Sequence, residues 1–137
     1  MPASTGTDAI FDAALDYIIS NVTHIVPLDA EPTAGFSDVD TPASSGGQQL
    51  AKRAFSGSLL SKQADGSGGR ELAVPTYGYL ALESGDVDHI ALIDDGASTI
   101  LVYYEHDDGN GNAVSVTADQ AFNINAHTVG IQNFQSA

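Results

Sequence analysis

Between His89 and Gly130 the sequence runs HIALIDDGASTILVYYEHDDGNGNAVSVTADQAFNINAHTVG, a series of short apolar stretches cut at close intervals by turn-forming residues. Ile90-Ala91-Leu92-Ile93 and Ile100-Leu101-Val102-Tyr103-Tyr104 are β-branched or aromatic in the main, fit a pleated surface, and are too short to be buried helices. Asp94-Asp95-Gly96 and the run from Asp107 to Asn112 separate them. Asp and Asn hydrogen-bond their own backbone, and Gly reaches positive φ without steric cost. The pattern predicts strands over 87–93, 99–105, 113–117, 121–124 and 128–134. Upstream, Glu71-Leu-Ala-Val74 and Thr76 to Leu82 read the same way, with Pro75 between them. Over 76–82 the alternation puts Tyr77, Tyr79 and Ala81 on one face and Leu80 and Leu82 on the other, both expected to be covered. Short strands with turn signals about every eight to twelve residues predict a mainly β domain, a β-sandwich or jelly-roll-like pair of sheets.

One helix precedes the strands. Ile10, Phe11, Ala14, Leu15, Ile18, Ile19 and Val22 recur at three- and four-residue spacing, and Thr7 or Asp8 can cap the first turn. This predicts an N-terminal amphipathic helix over 8–20, packed on the sheet of its own domain. Thr23 to Leu28 reads as a short strand whose Pro27 marks an edge strand or a strand end. Residues 29–49, DAEPTAGFSDVDTPASSGGQQ, have loop composition, with too little apolar content to fold alone, and are expected to be either a partner-contacting arm or a loose loop. The strand-rich body then occupies 52–134. Within it Lys52 to Leu60 alternates weakly as a strand, Gln63 to Arg70 reads as a second polar loop, and Ser84-Gly85-Asp86 reads as a turn. The glycines of 63–70 lack the Gly-Lys-Ser/Thr ending of a phosphate-binding loop.

At 137 residues and 42% hydrophobic content the chain suffices for one domain. No window approaches the roughly 18 apolar residues of a membrane span, so no membrane partner is expected. The opening residues lack the cationic and apolar regions of a secretory signal, and synthesis in a cytoplasm is expected. There is no cysteine, which removes disulfides and thiolate chemistry. Eighteen acids, fourteen of them Asp, face four cations, for a net charge of −14. Such a surface repels phosphate and argues against nucleic-acid binding; it suits a high-salt environment or a basic partner surface. Lys52, Arg53, Lys62 and Arg70 all fall within residues 52–70, a polarity that makes a head-to-tail contact between copies conceivable.

No constellation gives a reactive centre. Asp108, Asn110, Asn112 and Asp119 stand at the first, third, fifth and twelfth positions of a calcium loop, but Ala113 replaces the sixth-position glycine and a hairpin turn at Asn110-Gly111 accounts for the same residues. His24, His89, His106 and His127 lack the i,i+4 spacing of a helical metal site, and no metal is expected. Ser56-Gly57-Ser58 is no nucleophile elbow. Asp94-Asp95 and Asp107-Asp108 lie in turns, where solvent keeps carboxylates ionised. The expectation is a chain with no catalytic, cofactor-binding or metal residue, and not an enzyme. Tyr77, Tyr79, Tyr103 and Tyr104 suit a different class, a receptor- or glycan-binding tail, fibre or neck module stacking sugars on exposed rings, against which stands ordinary cross-strand packing.

The order of four segments resembles a family of small virion structural proteins of tailed bacteriophages, decoration or cement proteins of about this length. These are AIFDAALDYIISNVTHIVPLDAEPTAGF, GSGGRELAVPTYGYL, GDVDHIALIDDGASTILVYYEH and VSVTADQAFNINAHTVGIQN. Within them Leu28-Asp-Ala-Glu-Pro-Thr33, Gly68-Gly-Arg70 and Asp88-His-Ile-Ala-Leu-Ile-Asp94 are the phrases most like the family's, and the similarity covers most of the chain. The acidity and the polar insertion around 36–49 depart from the family pattern. The resemblance implies a non-enzymatic protein of the virion that binds the major capsid protein or other virion proteins and decorates or cements the shell, as a homo-oligomer, a trimer at local threefold positions.

Overall fold

The computed structural model describes residues 3–64, 70–106 and 111–130, with side chains from Ile10 onward. In chain order the elements are helix α1 (Ala3–Asn21), strand β1 (His24–Leu28), helix α2 (Phe36–Asp40), then β2 (Arg53–Ala54), β3 (Ser61–Ala64), β4 (Arg70–Val74), β5 (Tyr77–Leu80), β6 (Gly85–Val87), β7 (His89–Asp94), β8 (Thr99–Glu105), β9 (Val114–Val116), β10 (Ala121–Ile124) and β11 (His127–Gly130). Single 3-10 turns occupy Ala43–Ser45 and Gly57–Leu59. The protein is mainly β with one N-terminal helix, and its strand ladders are antiparallel. A four-stranded sheet runs β2-β1-β7-β8, and the remaining strands form three shorter sheets, β10-β5, β11-β4-β3 and β6-β9.

Apolar residues from all four sheets and from α1 meet in one core: Phe11, Leu15 and Ile18 of the helix lie with Ile25, Ile90 and Leu92 of the four-stranded sheet, Leu72 and Val129, Tyr79 and Ile124, and Val87 and Val116. The period-two geometry of a strand sends the alternate residues of β1 and β7 to the other face. There Val26, Leu28, Ala91 and Ile93 form a second, smaller core with Val39, and Phe36 and Ile100 pack on it. The two central strands are thus covered on both faces, which is why HIVPL and HIALID read as continuous apolar runs instead of alternating ones.

The cover on that second face is the segment expected to be a loop. Residues 29–49 fold back over β1 and β7 as α2 and a 3-10 turn, with Val39 fully buried. Gln49 bridges Leu28 on one side and Pro42 on the other, and its side-chain amide donates to the Val39 carbonyl at 3.1 Å. The segment is too polar to fold alone; two apolar side chains suffice because the sheet supplies the rest of the core.

Other boundaries shift for local reasons. The helix begins at Ala3, five residues before the expected start, and Ile10 lies outside its buried stripe, 69% exposed. Pro27 stands in an interior strand. Its carbonyl accepts the Leu50 N–H at 2.9 Å beyond the two paired residues of β2, and since a strand residue turns its nitrogen and carbonyl to the same side, the missing N–H falls where no ladder needs it. Residues 52–60 are not one strand: β2 is two residues long, and Gly57 starts a turn pressed on α1, where an added Cβ would sit 1.8 Å from the Ile19 carbonyl oxygen. The expected polar loop 63–70 gives residues to both strands of the β3–β4 hairpin, its 65–69 portion lying outside the described residues. Gly85 and Asp86 belong to β6 and not to a turn. For the last expected strand, 131–134 lie outside the described residues.

Candidate contact surface

Three of the four cations act as ion-pair ties within the chain. Lys62 bonds Asp16 and Arg70 bonds Asp12, each at 2.8 Å, which fastens the β3–β4 hairpin to α1. Lys52 reaches Asp40, the last residue of α2, at 3.1 Å and Asp95 at 2.8 Å in the β7–β8 turn, so one ammonium joins the 29–49 cover to the sheet beneath it. Burial pulls the Lys52 pKa down, but the bonds to Asp95 and Asp40 outweigh it and leave the ammonium above its ordinary value. The Lys52 hydrogen bond in turn holds the Asp95 carboxyl below the usual carboxylate value. The same cover is tied by the Ser44 N–H donating to Glu83 at 2.8 Å and by the Tyr103 hydroxyl donating to Glu31 at 2.9 Å; the Ser44 side chain first and its N–H second hold the Glu83 carboxyl below its ordinary value. Asp29, close to Asp88, is the carboxyl pushed the other way, chiefly by burial.

Arg53 is different. Among the described residues it is the one cation without a carboxylate partner. Its guanidinium lies 4.3 Å above the ring of Tyr77 and donates to the Gly78 carbonyl. Beside it the outward face of β5 and the residues after it is open, with Leu80 59% and Leu82 49% exposed. This corrects the expectation that both faces of 76–82 are covered: Tyr79 and Ala81 go to the core, and among the described residues nothing is laid over the leucines. Leu80, Leu82, Phe122 and Arg53 line one shallow depression. A second outward apolar strip runs along α1, where Ile10 is matched one face-repeat on by Tyr17, 62% exposed, with half-exposed Asp16 at its side.

The sequence-level candidates are dispersed or occupied. The calcium-type spacing does not form one loop, because β9 lies between Asn112 and Asp119 and pairs with β6, while Asp119 sits at φ 67° in the turn before β10. Asp108 and Asn110 lie outside the described residues, and Gly111 does adopt positive φ, 86°, though β8 and β9 are not hairpin partners. His24 contacts the Thr23 hydroxyl at 2.9 Å, and His89 contacts Asp88 at 2.8 Å. His106 and His127 converge, ring centroids 6.4 Å apart, at a pocket they share with Asp88 and Glu105. Among the described residues no three His or carboxylate side chains are placed to hold one metal ion. Ser56 accepts from the Ser58 N–H at 3.2 Å and caps the 3-10 turn. Asp94 accepts from the Ala97 N–H at 3.3 Å within the turn after β7, and Asp107 and Asp108 lie outside the described residues.

No family model, curated protein or solved structure matches this chain. No described helix is long and apolar enough to cross a membrane.

The rings of Tyr77, Tyr79, Tyr103 and Tyr104 are engaged within the fold. Tyr79 stacks on Phe122 at 5.1 Å, Tyr104 on His127 at 4.5 Å, and Tyr77 carries Arg53 on one face and meets Phe55 and Tyr79 edge-on. Tyr103 leans towards His89 and is held through its hydroxyl by Glu31. A sugar needs an open ring face, so these contacts favour packing over glycan stacking. What spacing could not reveal is the pair of apolar strips: periodicity alone counts Leu80, Leu82 and Ile10 as core.

Proposed function

We propose that the chain is a non-enzymatic structural protein of a phage particle that coats or cements the capsid shell by binding the major capsid protein. The observation that supports it best is how the surface is built: a sheet whose two central strands are covered on both faces, three of the chain's four cations bound to its own carboxylates, and apolar strips left on outward faces. That is the build of a contact protein, a rigid scaffold with apolar side chains ringed by polar ones. The resemblance of the segments at 28–33, 68–70 and 88–94 to small phage virion proteins points the same way, and a trimeric arrangement on the shell goes with it. Purified particles containing the chain test the reading by counting copies. A number in step with the shell subunits supports it. A number matching a single portal or tail assembly would move the chain to the neck or tail.

A further inference from the structure

We propose that this chain binds a second copy of itself head to tail, with the α1 strip of Ile10 and Tyr17 from one copy seated in the Leu80, Leu82, Phe122 and Arg53 depression of the next. The two strips cannot cover each other within one chain. The helix turns Phe11, Leu15 and Ile18 to the core and Ile10 and Tyr17 away from it, while β5 turns Tyr79 to the same core and Leu80 away. Among the described residues neither strip is covered, so each is open to another molecule, and their chemistry is complementary. Two copies at −14 repel each other, so an interface between them needs a positive charge not already neutralised. Arg53 is the one cation among the described residues that meets this condition, and it stands at the rim of the leucine depression. Acid stands at the margin of the facing strip: Asp16, one residue before Tyr17 and about 100° round the helix from it, is half exposed even with Lys62 bonded to it. Apolar side chains would fill the centre, with a charge pair at the rim. Different patches on the two partners make the contact heterologous, so it closes into a ring if the rotation allows and otherwise grows as a filament.

The inference builds on the association expected of a shell-coating chain, and its test uses the free chain so that the two can fail separately. Sedimentation is measured for the wild type, for Leu82→Asp, for Tyr17→Asp, and for an equimolar mixture of the two variants. Both substitutions fall on exposed side chains, and circular dichroism verifies that the fold is kept. Each variant alone is expected to associate at least tenfold more weakly than the wild type. The mixture is expected to recover a heterodimer, because the intact depression of Tyr17→Asp meets the intact helix strip of Leu82→Asp. Arg53→Glu should weaken association as well. A wild type that stays monomeric at high concentration overturns the inference and leaves the shell reading to the copy count. Variants that associate normally, loss in only one of them, or a mixture without recovery also overturn it, the last two indicating a contact of like patches.

Discussion

At the scale of single residues, Lys52 shows how charge is used. Its two carboxylate partners belong to segments far apart in sequence, and the Asp95 carboxyl is held below its ordinary value mainly by the Lys52 hydrogen bond. A folded carboxyl that binds its proton less tightly than the unfolded one stabilises the fold above the ordinary carboxylate range, and that contribution is lost as pH falls through the lowered value. In Lys52→Ala the Asp95 titration midpoint, followed by carboxyl-carbon NMR, should rise towards about 3.9. The cost in stability should be about 1 kcal/mol or less, since all three groups are partly exposed. Gly57 is the opposite kind of residue, neutral and without a side chain, yet hard to replace. A Cβ there would meet the backbone of α1 rather than a movable side chain, so Gly57→Ala should destabilise the domain by about 1 to 3 kcal/mol in denaturant unfolding. Neither role was legible in the sequence. Ser-Gly-Ser reads as turn composition, and the approach of Ile19 to Gly57 is set by how a helix nearly forty residues away in the chain docks.

At the scale of elements, the sequence read well wherever the local period decided the outcome. The strand β8 falls at 99–105 and β10 at 121–124, as alternation and flanking turn residues predict. It read poorly where tertiary contact decides. The cover over 29–49 has the composition of a loop because the apolar surface it needs belongs to β1 and β7, and β6 was hidden because Ser-Gly-Asp has turn chemistry while its ladder partner β9 lies some thirty residues on. Replacing Val39 by Asp puts a carboxylate into the small core and should release the cover. Amide exchange at Val26, Leu28, Ala91 and Ile93 is then expected to accelerate, while amides of α1 stay protected; equal acceleration in both would mean that the two cores melt as one unit. Leu15 on the inner face of α1 is fully buried, and Leu15→Ala should cost the free protein about 2 to 5 kcal/mol of unfolding free energy. Tyr17→Asp on the outer face of the same helix should leave that free energy within about 0.5 kcal/mol of the wild type.

At the scale of the whole molecule, charge sets the response to solvent. Fourteen net negative charges on a 14.1 kDa domain repel one another over a screening length of about 30 Å at 0.01 M ionic strength and about 3 Å at 1 M. Added salt also loosens the ion pairs of Lys52, Lys62 and Arg70, each a small contribution at a partly exposed site. Repulsion is the larger of the two, so the melting temperature should climb between those concentrations; a flat or falling curve would show that local ties outweigh the global field. The internal use of the cations reaches beyond stability. A protease that cuts after Lys or Arg must draw that side chain into its own specificity pocket, and this sequence offers it only Lys52, Arg53, Lys62 and Arg70. Cleavage at Lys62 or Arg70 first requires the hairpin to let go of α1, and cleavage at Lys52 requires the cover to let go of the sheet. Tryptic fragments therefore give a clock for each fastening separately, with the order of the cuts reporting which part of the domain opens first.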